Sequence, residues 1–218
     1  MTQEHRKHIP KHVALVGNGP SRQDFISDVN GNKGDVPWDA VWVLNAGGIV
    51  FRHDLAFCLD DLRYLEKKTP HLAAFMQHTS VPFITSTAYP EYSAALAYPY
   101  DEILDLITVP NIFCNSGPMA LAYGFWLGVK KFSLFGFDYY YPRMDCSEFG
   151  GQAMAFLVGM AGRFGASVEL TPHTTLLGNH HMKWRNTKNG LEGNWPYYGK
   201  PENIEFYNSL VTLPPEEK

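Results

Sequence analysis

A buried strand that ends in a turn of small residues and continues into a helix is the feature that most constrains this chain. The apolar run Val13-Ala14-Leu15-Val16 is typical of a strand that is covered on both faces. The turn Gly17-Asn18-Gly19-Pro20-Ser21 follows, and the residues after it predict a helix. Backbone N–H groups and the helix dipole point at one spot in such a turn. The stretch therefore predicts a site for the phosphate of a nucleotide, with a plain strand-to-helix turn as the alternative interpretation.

Strands and helices alternate along the rest of the chain. Strands are predicted at residues 40–44, 55–59, 81–86, 131–135 and 167–170, with a further short strand at 104–109. Helices are predicted at residues 21–29, from 62 to 67, at 119–127 and at 151–164, the last with Gly165 as its C-cap. This alternation predicts an α/β fold with a Rossmann-like, doubly wound, mostly parallel sheet that binds ligands at the carboxyl ends of its strands.

The sequence divides into three parts. We expect a flexible leader at residues 1–11, a nucleotide-binding α/β domain at 12–176 and a C-terminal tail or lid at 177–218. The last part is rich in aromatic and basic residues: Lys183, Trp184, Arg185, Lys188, Trp195, Tyr197, Tyr198 and Lys200. Its cations suit a phosphate or an anionic acceptor, and its aromatic rings suit stacking on a sugar or a base or contact within a homo-oligomer.

Composition bounds the partners and the compartment. The net charge of −4 argues against a general attraction to nucleic acid or to anionic membranes. No apolar run approaches the ~20 residues that a membrane-spanning helix needs, and the polar start does not resemble a signal peptide. Cys58, Cys114 and Cys146 are odd in number and contain no Cys-x-x-Cys pair, which predicts free thiols. We therefore expect a cytoplasmic protein without a membrane span.

Polar residues follow the predicted strands where they end. These are Asn45, Asp60-Asp61, Asn115-Ser116-Gly117 and Gly136-Phe137-Asp138. Because the carboxyl ends of parallel strands meet at one edge, they should form one polar cleft. The cleft does not fit a dinucleotide fingerprint, since Arg22 stands where the third glycine belongs and Asn45 where the ribose-binding acid belongs. A P-loop is also excluded, because no Gly-Lys-Ser/Thr follows the first glycine.

Two motifs resemble a known family. The turn at residues 17–21 resembles the opening of the bacterial sialyltransferases that use CMP-sialic acid. Asn115-Ser116-Gly117, an apolar helix, Leu-Gly-Val-Lys-Lys at 127–131 and Leu-Phe-Gly-Phe-Asp-Tyr-Tyr at 134–140 resemble a second run of that family in the same order. The opening is also similar to that of the archaeal-type 6-hydroxymethylpterin diphosphokinases and their relatives. The resemblance covers residues 13–176.

The resemblance implies a nucleotide-dependent transferase, a glycosyltransferase that uses a CMP-activated or related sugar, an unknown acceptor and no required cofactor. Asn18, Asn45, Ser116 and Gly117 match positions that hold the cytidine nucleotide, and residues 136–138 match the stretch at the base and ribose. Tyr140 matches a tyrosine that contacts the leaving phosphate. The full set of predicted nucleotide-binding residues is Gly17, Asn18, Gly19, Pro20, Ser21, Asn45, Asn115, Ser116, Gly117, Gly136, Phe137 and Asp138.

The sequence departs from the family at the general base. The family has a histidine just before the helix that follows the Gly-Ile-Asp motif, whereas this chain has Asp145-Cys146-Ser147-Glu148. Asp145 or Glu148 can take that role, or His173, His180 or His181 can supply it from the C-terminal part, or the chemistry differs.

Two other functions stay open at this stage. A diphosphokinase would hold Mg²⁺ at Asp60 or Asp61, although a helix cap is the favoured interpretation of these residues. A non-catalytic nucleotide-binding protein would explain the missing histidine. Otherwise the sequence predicts no metal site.

Overall fold

Seven parallel strands form the central sheet of the computed structural model. The structure describes residues 9–108, 113, 115–139, 145–178, 184–187 and 190–193, and at 145–148 and from 178 onward it describes only the backbone. The strands are β1 (His12–Val16), β2 (Ala40–Leu44), β3 (Leu55–Phe57), β4 (Phe83–Thr85), β5 (Ala95–Ala97), β6 (Lys131–Phe135) and β7 (Ser167–Leu170). The helices are α1 (Arg22–Gly31), α2 (Gly47–Val50), α3 (Leu62–Lys68), α4 (Pro70–His78), α5 (Tyr100–Ile107), α6 (Ser116–Leu127) and α7 (Asp145–Met160).

The order of the strands in the sheet is β5-β4-β3-β2-β1-β6-β7. Val13 pairs with Ala40 of β2 on one side and with Phe132 of β6 on the other. The order therefore reverses at β1, and the carboxyl ends of β1 and β6 form the crevice where sheets of this kind bind ligands. The predicted Rossmann-like α/β fold is confirmed, and the sheet is parallel throughout.

The core lies on both faces of the sheet, as a doubly wound fold requires. Val13 and Leu15 of β1 belong to a core cluster with residues of α5, α6 and α7. Ala14 and Val16 belong to a second cluster with residues of α1, α3 and α4. All four residues are fully buried, which explains why β1 is a continuous apolar run instead of an alternating one.

Glycines end the two long helices beside β6 as predicted. α6 stops at Gly128, which has a φ of 91°. α7 begins at Asp145, earlier than predicted, and continues as a 3-10 turn at Ala161–Phe164 that ends at Gly165, with a φ of 64°. Both angles lie in the left-handed region where glycine carries no steric cost.

The strand predicted at residues 104–109 is wrong. Residues 100–107 form α5, in which Ile103 and Ile107 lie one turn apart and are both fully buried. Asp101 and Glu102 occupy the first turn, where negative charge is favourable. A short apolar run is compatible with either a strand or a helix, and here the buried residues recur with the helical period.

Beyond the main sheet, β8 (Trp184–Thr187) and β9 (Gly190–Gly193) pair in antiparallel fashion. None of the helices in the described ranges is long and apolar enough to cross a membrane. The predicted leader, except for residues 9–11, lies outside the described residues. The division at residues 11 and 176 stays a prediction.

Candidate functional site

A cavity of about 280 Å³ opens at the carboxyl ends of β3, β2, β1 and β6. It is lined by Gly17, Asn18, Leu44, Asn45, Asp60, Asn115, Ser116, Gly117, Gly136, Phe137, Asp138 and Tyr139. All of the predicted nucleotide-binding residues except Gly19, Pro20 and Ser21 are in this lining. The expected convergence of the polar strand ends on one cleft is therefore present in the structure.

The turns after β1 and β6 are joined through their backbones. Gly17 donates its N–H to the carbonyl of Phe135 at 2.7 Å, and Gly19 donates to the carbonyl of Gly136 at 2.9 Å. A Cβ on Gly17 would lie 2.5 Å from the Gly136 oxygen, which is closer than real Cβ contacts allow. The first glycine is therefore required by the close approach of two strand ends, whether or not a ligand is bound.

The N-terminus of α1 is already occupied by a carboxylate of the protein. Oδ2 of Asp138 accepts the backbone N–H of Ser21 at 2.8 Å, and the Ser21 hydroxyl accepts the N–H of Gly136 at 3.0 Å. Ser21 is 1% exposed and Asp138 6% exposed. The sequence predicts an anion at this helix start; in the structure the anion is Asp138. Ser21 acts there as a buried connector between the two turns.

Thr174 and Thr175, which follow β7, bind Asp138 and its neighbour Phe137 from the other side. Oδ1 of Asp138 accepts the N–H of Thr175 at 3.3 Å, its carbonyl accepts the Thr175 hydroxyl, and the Thr174 hydroxyl donates to the carbonyl of Phe137 at 2.8 Å. Burial raises the pKa of Asp138 above its ordinary value, against the hydrogen bonds from Ser21 and Thr175, which lower it. The carboxylate of Asp138, which was predicted to contact ribose, therefore joins the start of α1 to the segment after β7.

Amide and hydroxyl groups face each other in the middle of the cavity. The Ser116 hydroxyl lies 3.5 Å from Oδ1 of Asn45, and Nδ2 of Asn18 donates to the carbonyl of Leu44 at 3.3 Å. Asn45 has a φ of 48°, a left-handed conformation that asparagine tolerates better than most residues and that often occurs at functional sites. These groups offer the donors and acceptors that a base edge or a phosphate needs.

The first turn of α6 is the second helix start at the cavity. Asn115 is its N-cap, and Oδ1 of that side chain accepts the N–H of Gly117 at 3.0 Å. Ser116 and Gly117 line the cavity directly. Because α6 has 12 residues and begins at the wall of the cavity, its positive end favours a negative group there.

The adjacent aspartates after β3 have different environments. Asp61 is the N-cap of α3: its Oδ1 accepts the N–H of Arg63 at 2.7 Å, and its Oδ2 accepts the hydroxyl of Tyr89 at 3.1 Å. Asp60 is exposed and lines the cavity. The helix-cap interpretation is confirmed for Asp61 alone. Across the described residues, no group of three or more His, Cys, Asp or Glu side chains is placed to hold a metal ion.

Most of the predicted catalytic side chains are ones that the structure does not describe, and the described one, His173, lies beside α1. Tyr140 and the side chains of Asp145 and Glu148 are outside the described residues, as are His180 and His181. The ring of His173 is exposed, and its Nδ1 lies 2.6 Å from Oδ1 of Asp24 on α1.

Two cavity residues, Leu44 and Tyr139, were not predicted for the cleft, whereas Asp60 was predicted there as a strand-end residue and possible Mg²⁺ ligand. Leu44 and Tyr139 directly adjoin Asn45 and Asp138, and that adjacency could have identified them. Tyr139 also has a left-handed backbone, with a φ of 50°, and its phenol oxygen is 2.4 Å from the place of a Cβ on Gly117.

The charge of the described lining is negative. Asp60 and Asp138 contribute carboxylates, and none of the described lining residues is Lys, Arg or His. The basic residues predicted for the tail lie beyond the described side chains.

Cys58, at the end of β3, is a buried free thiol as predicted. Burial, and then the nearby Asp60, raises the pKa of Cys58 to about 12, so this thiol is inert.

Known structures share this fold. The sialyltransferase CstII from Campylobacter jejuni, in complex with the substrate analogue CMP-3FNeuAc, matches with a TM-score of 0.52 and 16% identity over 76% of this chain and 83% of that chain. A mutant of the alpha-2,3/8-sialyltransferase CstII matches with a TM-score of 0.52 and 17% identity over 77% and 84%. No family model matches the chain, and no curated protein matches it by sequence. At these identities the likeness shows the fold alone.

Proposed function

We propose that this protein is a nucleotide-dependent transferase, a glycosyltransferase that uses a CMP-activated or related nucleotide-activated sugar. The observation that carries the proposal is the cavity, which places Asn18, Asn45 and Ser116 together; these residues match nucleotide-binding positions of the family that the sequence resembles. The shared fold with CstII, whose structure holds CMP-3FNeuAc, supports the same assignment.

In the proposed complex the phosphate lies at the start of α6, next to the Ser116 hydroxyl. The start of α1 is the poorer choice, because Asp138 already accepts the Ser21 N–H there. The nucleoside lies toward Asn18 and residues 136–138 at the β1 and β6 end, where the Asn18 amide can bind the edge of a pyrimidine. Asn45, beside Ser116, lies between the nucleoside and the group that is transferred.

The transfer step needs an acid near the phosphate and a base near the acceptor. The acceptor oxygen forms a bond to the anomeric carbon while the bond from that carbon to the phosphate oxygen breaks, and the electron pair stays on the phosphate. Tyr140 is proposed to donate a hydrogen bond to that phosphate, and Asp145 or Glu148 to take the proton of the acceptor.

The packing of α7 supports these assignments. A Cβ on Gly150 would lie 1.8 Å from Nδ2 of Asn115 and 2.8 Å from the ring of Tyr139. The early turns of α7 therefore lie directly against two residues that line the cavity. Asp145 is the first residue of this helix, so the packing supports a proposed base from the start of α7.

A second candidate is an Mg²⁺-dependent diphosphokinase, which the position of Asp60 favours. Mg²⁺ is commonly bound by one or two carboxylates together with substrate phosphates. One exposed carboxylate in the wall of a nucleotide-sized cavity fits that donor set. Asp61 does not, because both of its oxygens already accept hydrogen bonds.

Thermal unfolding with a panel of nucleotides tests the proposal, because a ligand that binds the folded state raises the melting temperature. We expect CMP to raise it without Mg²⁺, and more than UMP, GMP or AMP. A shift produced only by ATP with Mg²⁺, and lost in Asp60→Asn, would favour the diphosphokinase. The absence of a shift with every nucleotide would contradict both functions.

A further inference from the structure

A further cavity, of about 670 Å³, lies at the opposite edge of the sheet, where the strands begin. Asp39, Asp54 and Pro82, which directly precede β2, β3 and β4, are exposed and form part of its rim. Tyr123 and Leu127, in the second half of α6, form part of its wall. The proposed transferase does not use this cavity, because its nucleotide lies at the carboxyl ends of the strands. Its volume lies within the ~300–1,000 Å³ of small-molecule sites.

The walls of this cavity are mainly apolar. Most of its described lining residues are aliphatic or aromatic. Leu55 and Leu127 are only half-buried and Leu96 is 39% exposed, so the folded chain leaves apolar surface in contact with water here. An apolar ligand that covers this surface removes it from water, which is favourable.

Two buried residues of the lining carry polar groups without a partner. Trp42 is 3% exposed and Tyr123 is 6% exposed. Neither the indole N–H of Trp42 nor the hydroxyl of Tyr123 has an acceptor among the described residues. The unpartnered indole nitrogen of Trp38 is sealed from solvent, whereas the Trp42 nitrogen and the Tyr123 oxygen are not. Both groups therefore open on the cavity that their residues line.

These two donors indicate the polar part of a ligand. An indole nitrogen can only donate, and burial raises the pKa of Tyr123 to about 12, so its hydroxyl keeps its proton. A ligand atom with a lone pair satisfies such donors, whereas an apolar atom in its place leaves them unpaired at a cost. A charged group would lose its water in a mainly apolar site, which costs far more. We therefore expect the buried part of the ligand to be uncharged and to carry an acceptor.

The two rings are held in place by the core before a ligand binds. The rings of Trp42 and Tyr123 lie 6.0 Å apart in an edge contact, and the ring of Phe57 packs 5.4 Å from that of Tyr123. A Cβ on Gly124 would lie 3.2 Å from Cζ3 of Trp42, so α6 lies directly against the indole. A ligand thus meets a preformed aromatic wall, and little side-chain ordering opposes its binding. Flat rings stack or pack edge-on against such a wall.

We propose that this cavity is a second binding site of the protein, for a small, planar, uncharged molecule that carries a hydrogen-bond acceptor such as a carbonyl oxygen. The rings of such a molecule cover the exposed leucines and pack against Trp42 and Tyr123. Its acceptor receives the indole N–H or the phenol O–H. The site is separate from the proposed nucleotide cavity and does not depend on the transferase activity.

The test uses prodan, an uncharged naphthalene ketone whose emission moves to shorter wavelength in apolar surroundings. Titration of the full chain with prodan measures its dissociation constant. 2-Acetylnaphthalene and 2-ethylnaphthalene then compete with prodan; they share the ring system, and only the first has a carbonyl oxygen. The measurements are repeated for Tyr123→Phe and Trp42→Phe, which each remove one donor and keep an aromatic ring. Tyr64→Phe is the matched control, because Tyr64 is 53% exposed on α3, which packs on the other face of the sheet.

We expect prodan to bind to the wild type and both naphthalenes to displace it. The preference for the ketone over the hydrocarbon is the ratio of their dissociation constants. This preference should fall about three- to tenfold in Tyr123→Phe, in Trp42→Phe or in both, as the loss of one hydrogen bond implies. Tyr64→Phe should keep the wild-type ratio. The difference in hydration between the two ligands is the same for every variant, so it cancels in the comparison.

Three results would contradict the inference. The first is that prodan does not bind to the wild type. The second is an unchanged ratio in both donor variants, which would show that neither donor meets the ligand. The third is a dimer of the unliganded protein in sedimentation velocity that prodan dissociates, which would assign this cavity to an interface between two copies. If the melting temperature shows that Tyr123→Phe does not fold, Trp42→Phe decides the comparison.

Discussion

Gly17 shows how one hydrogen in place of a side chain sets the geometry of this site. The Gly17 N–H donates to Phe135, and the residue lies against the carbonyl of Gly136. Any larger residue must separate the turns after β1 and β6. The glycine pattern that resembles a phosphate-binding loop is thus explained first by strand packing.

We predict that Gly17→Ala lowers the free energy of unfolding by about 1–3 kcal/mol, the usual cost of overpacking. The matched control is Gly31→Ala at the end of α1, where a Cβ would meet nothing within 4 Å and where alanine favours the helix. Urea denaturation of both variants measures the difference. Equal stabilities would contradict the steric explanation.

Asp60 and Asp61 are adjacent in the chain but are expected to contribute differently to stability. Asp61→Ala removes the cap of α3 and should cost about 1 kcal/mol of stability. Asp60→Ala should change stability by less than about 0.5 kcal/mol, as surface substitutions usually do. Chemical denaturation of the two variants provides the check, and a larger loss in Asp60→Ala would show that this side chain has a structural partner.

Asp138 predicts a dependence of stability on pH. Burial raises its folded-state pKa above the ordinary value of 3.8, so the folded protein holds this proton more tightly than the unfolded chain. The stabilisation is complete below the unfolded-state pKa and is lost as the pH rises through the raised pKa.

We therefore expect the stability difference between the wild type and Asp138→Asn to favour the wild type more at about pH 4 than at about pH 7. Denaturant titrations at the two pH values measure this difference. A difference that is the same at both, or smaller at the acid pH, would contradict a raised pKa for Asp138.

At the scale of the elements, the start of α6 matters most, because the nucleotide phosphate is proposed to bind there. Asn115 holds the first turn by accepting the N–H of Gly117, and this leaves Ser116 at the cavity wall. The helix was predicted to begin at residue 119, but it begins at Ser116, because Asn is a preferred N-cap and Pro is tolerated in the first turn.

Asn115→Ala should lower the free energy of unfolding by about 1 kcal/mol through the loss of this cap. Asn115→Asp keeps an acceptor oxygen and should retain most of the stability. Thermal and urea unfolding of the pair measure the effect. If the alanine and aspartate variants were equally unstable, the contact to Gly117 would not be the cause.

Strands and helices were predictable where a buried apolar run is bounded by residues that end an element, such as glycine. β2 and β6 have the bounds expected from their apolar runs, and glycines mark the ends of α6 and of the turn after α7. α5 was mistaken for a strand because a short apolar run is compatible with both periods. Its helical burial becomes visible only when Ile103 and Ile107 are seen against the same core.

At the scale of the molecule, a parallel sheet with its polar residues at one edge could be inferred from the sequence, and so could most of the cavity lining. The use of Asp138 could not, because the contact from its carboxylate to the Ser21 N–H spans 117 positions of the chain. A local pattern cannot show that a helix start is already filled by a distant carboxylate. This contact moves the proposed phosphate from the start of α1 to the start of α6.

Binding of CMP to the wild type and to Ser116→Ala, measured by isothermal titration calorimetry, tests the central claim most directly. We predict one CMP site per chain in the wild type. We also predict that Ser116→Ala raises the dissociation constant for CMP by roughly tenfold or more, since a hydrogen bond to a charged group contributes about 1.5–3 kcal/mol. The melting temperature of the unliganded protein should be unchanged. No binding of CMP to the wild type, or equal affinities in the two proteins, would contradict a nucleotide phosphate held at the start of α6.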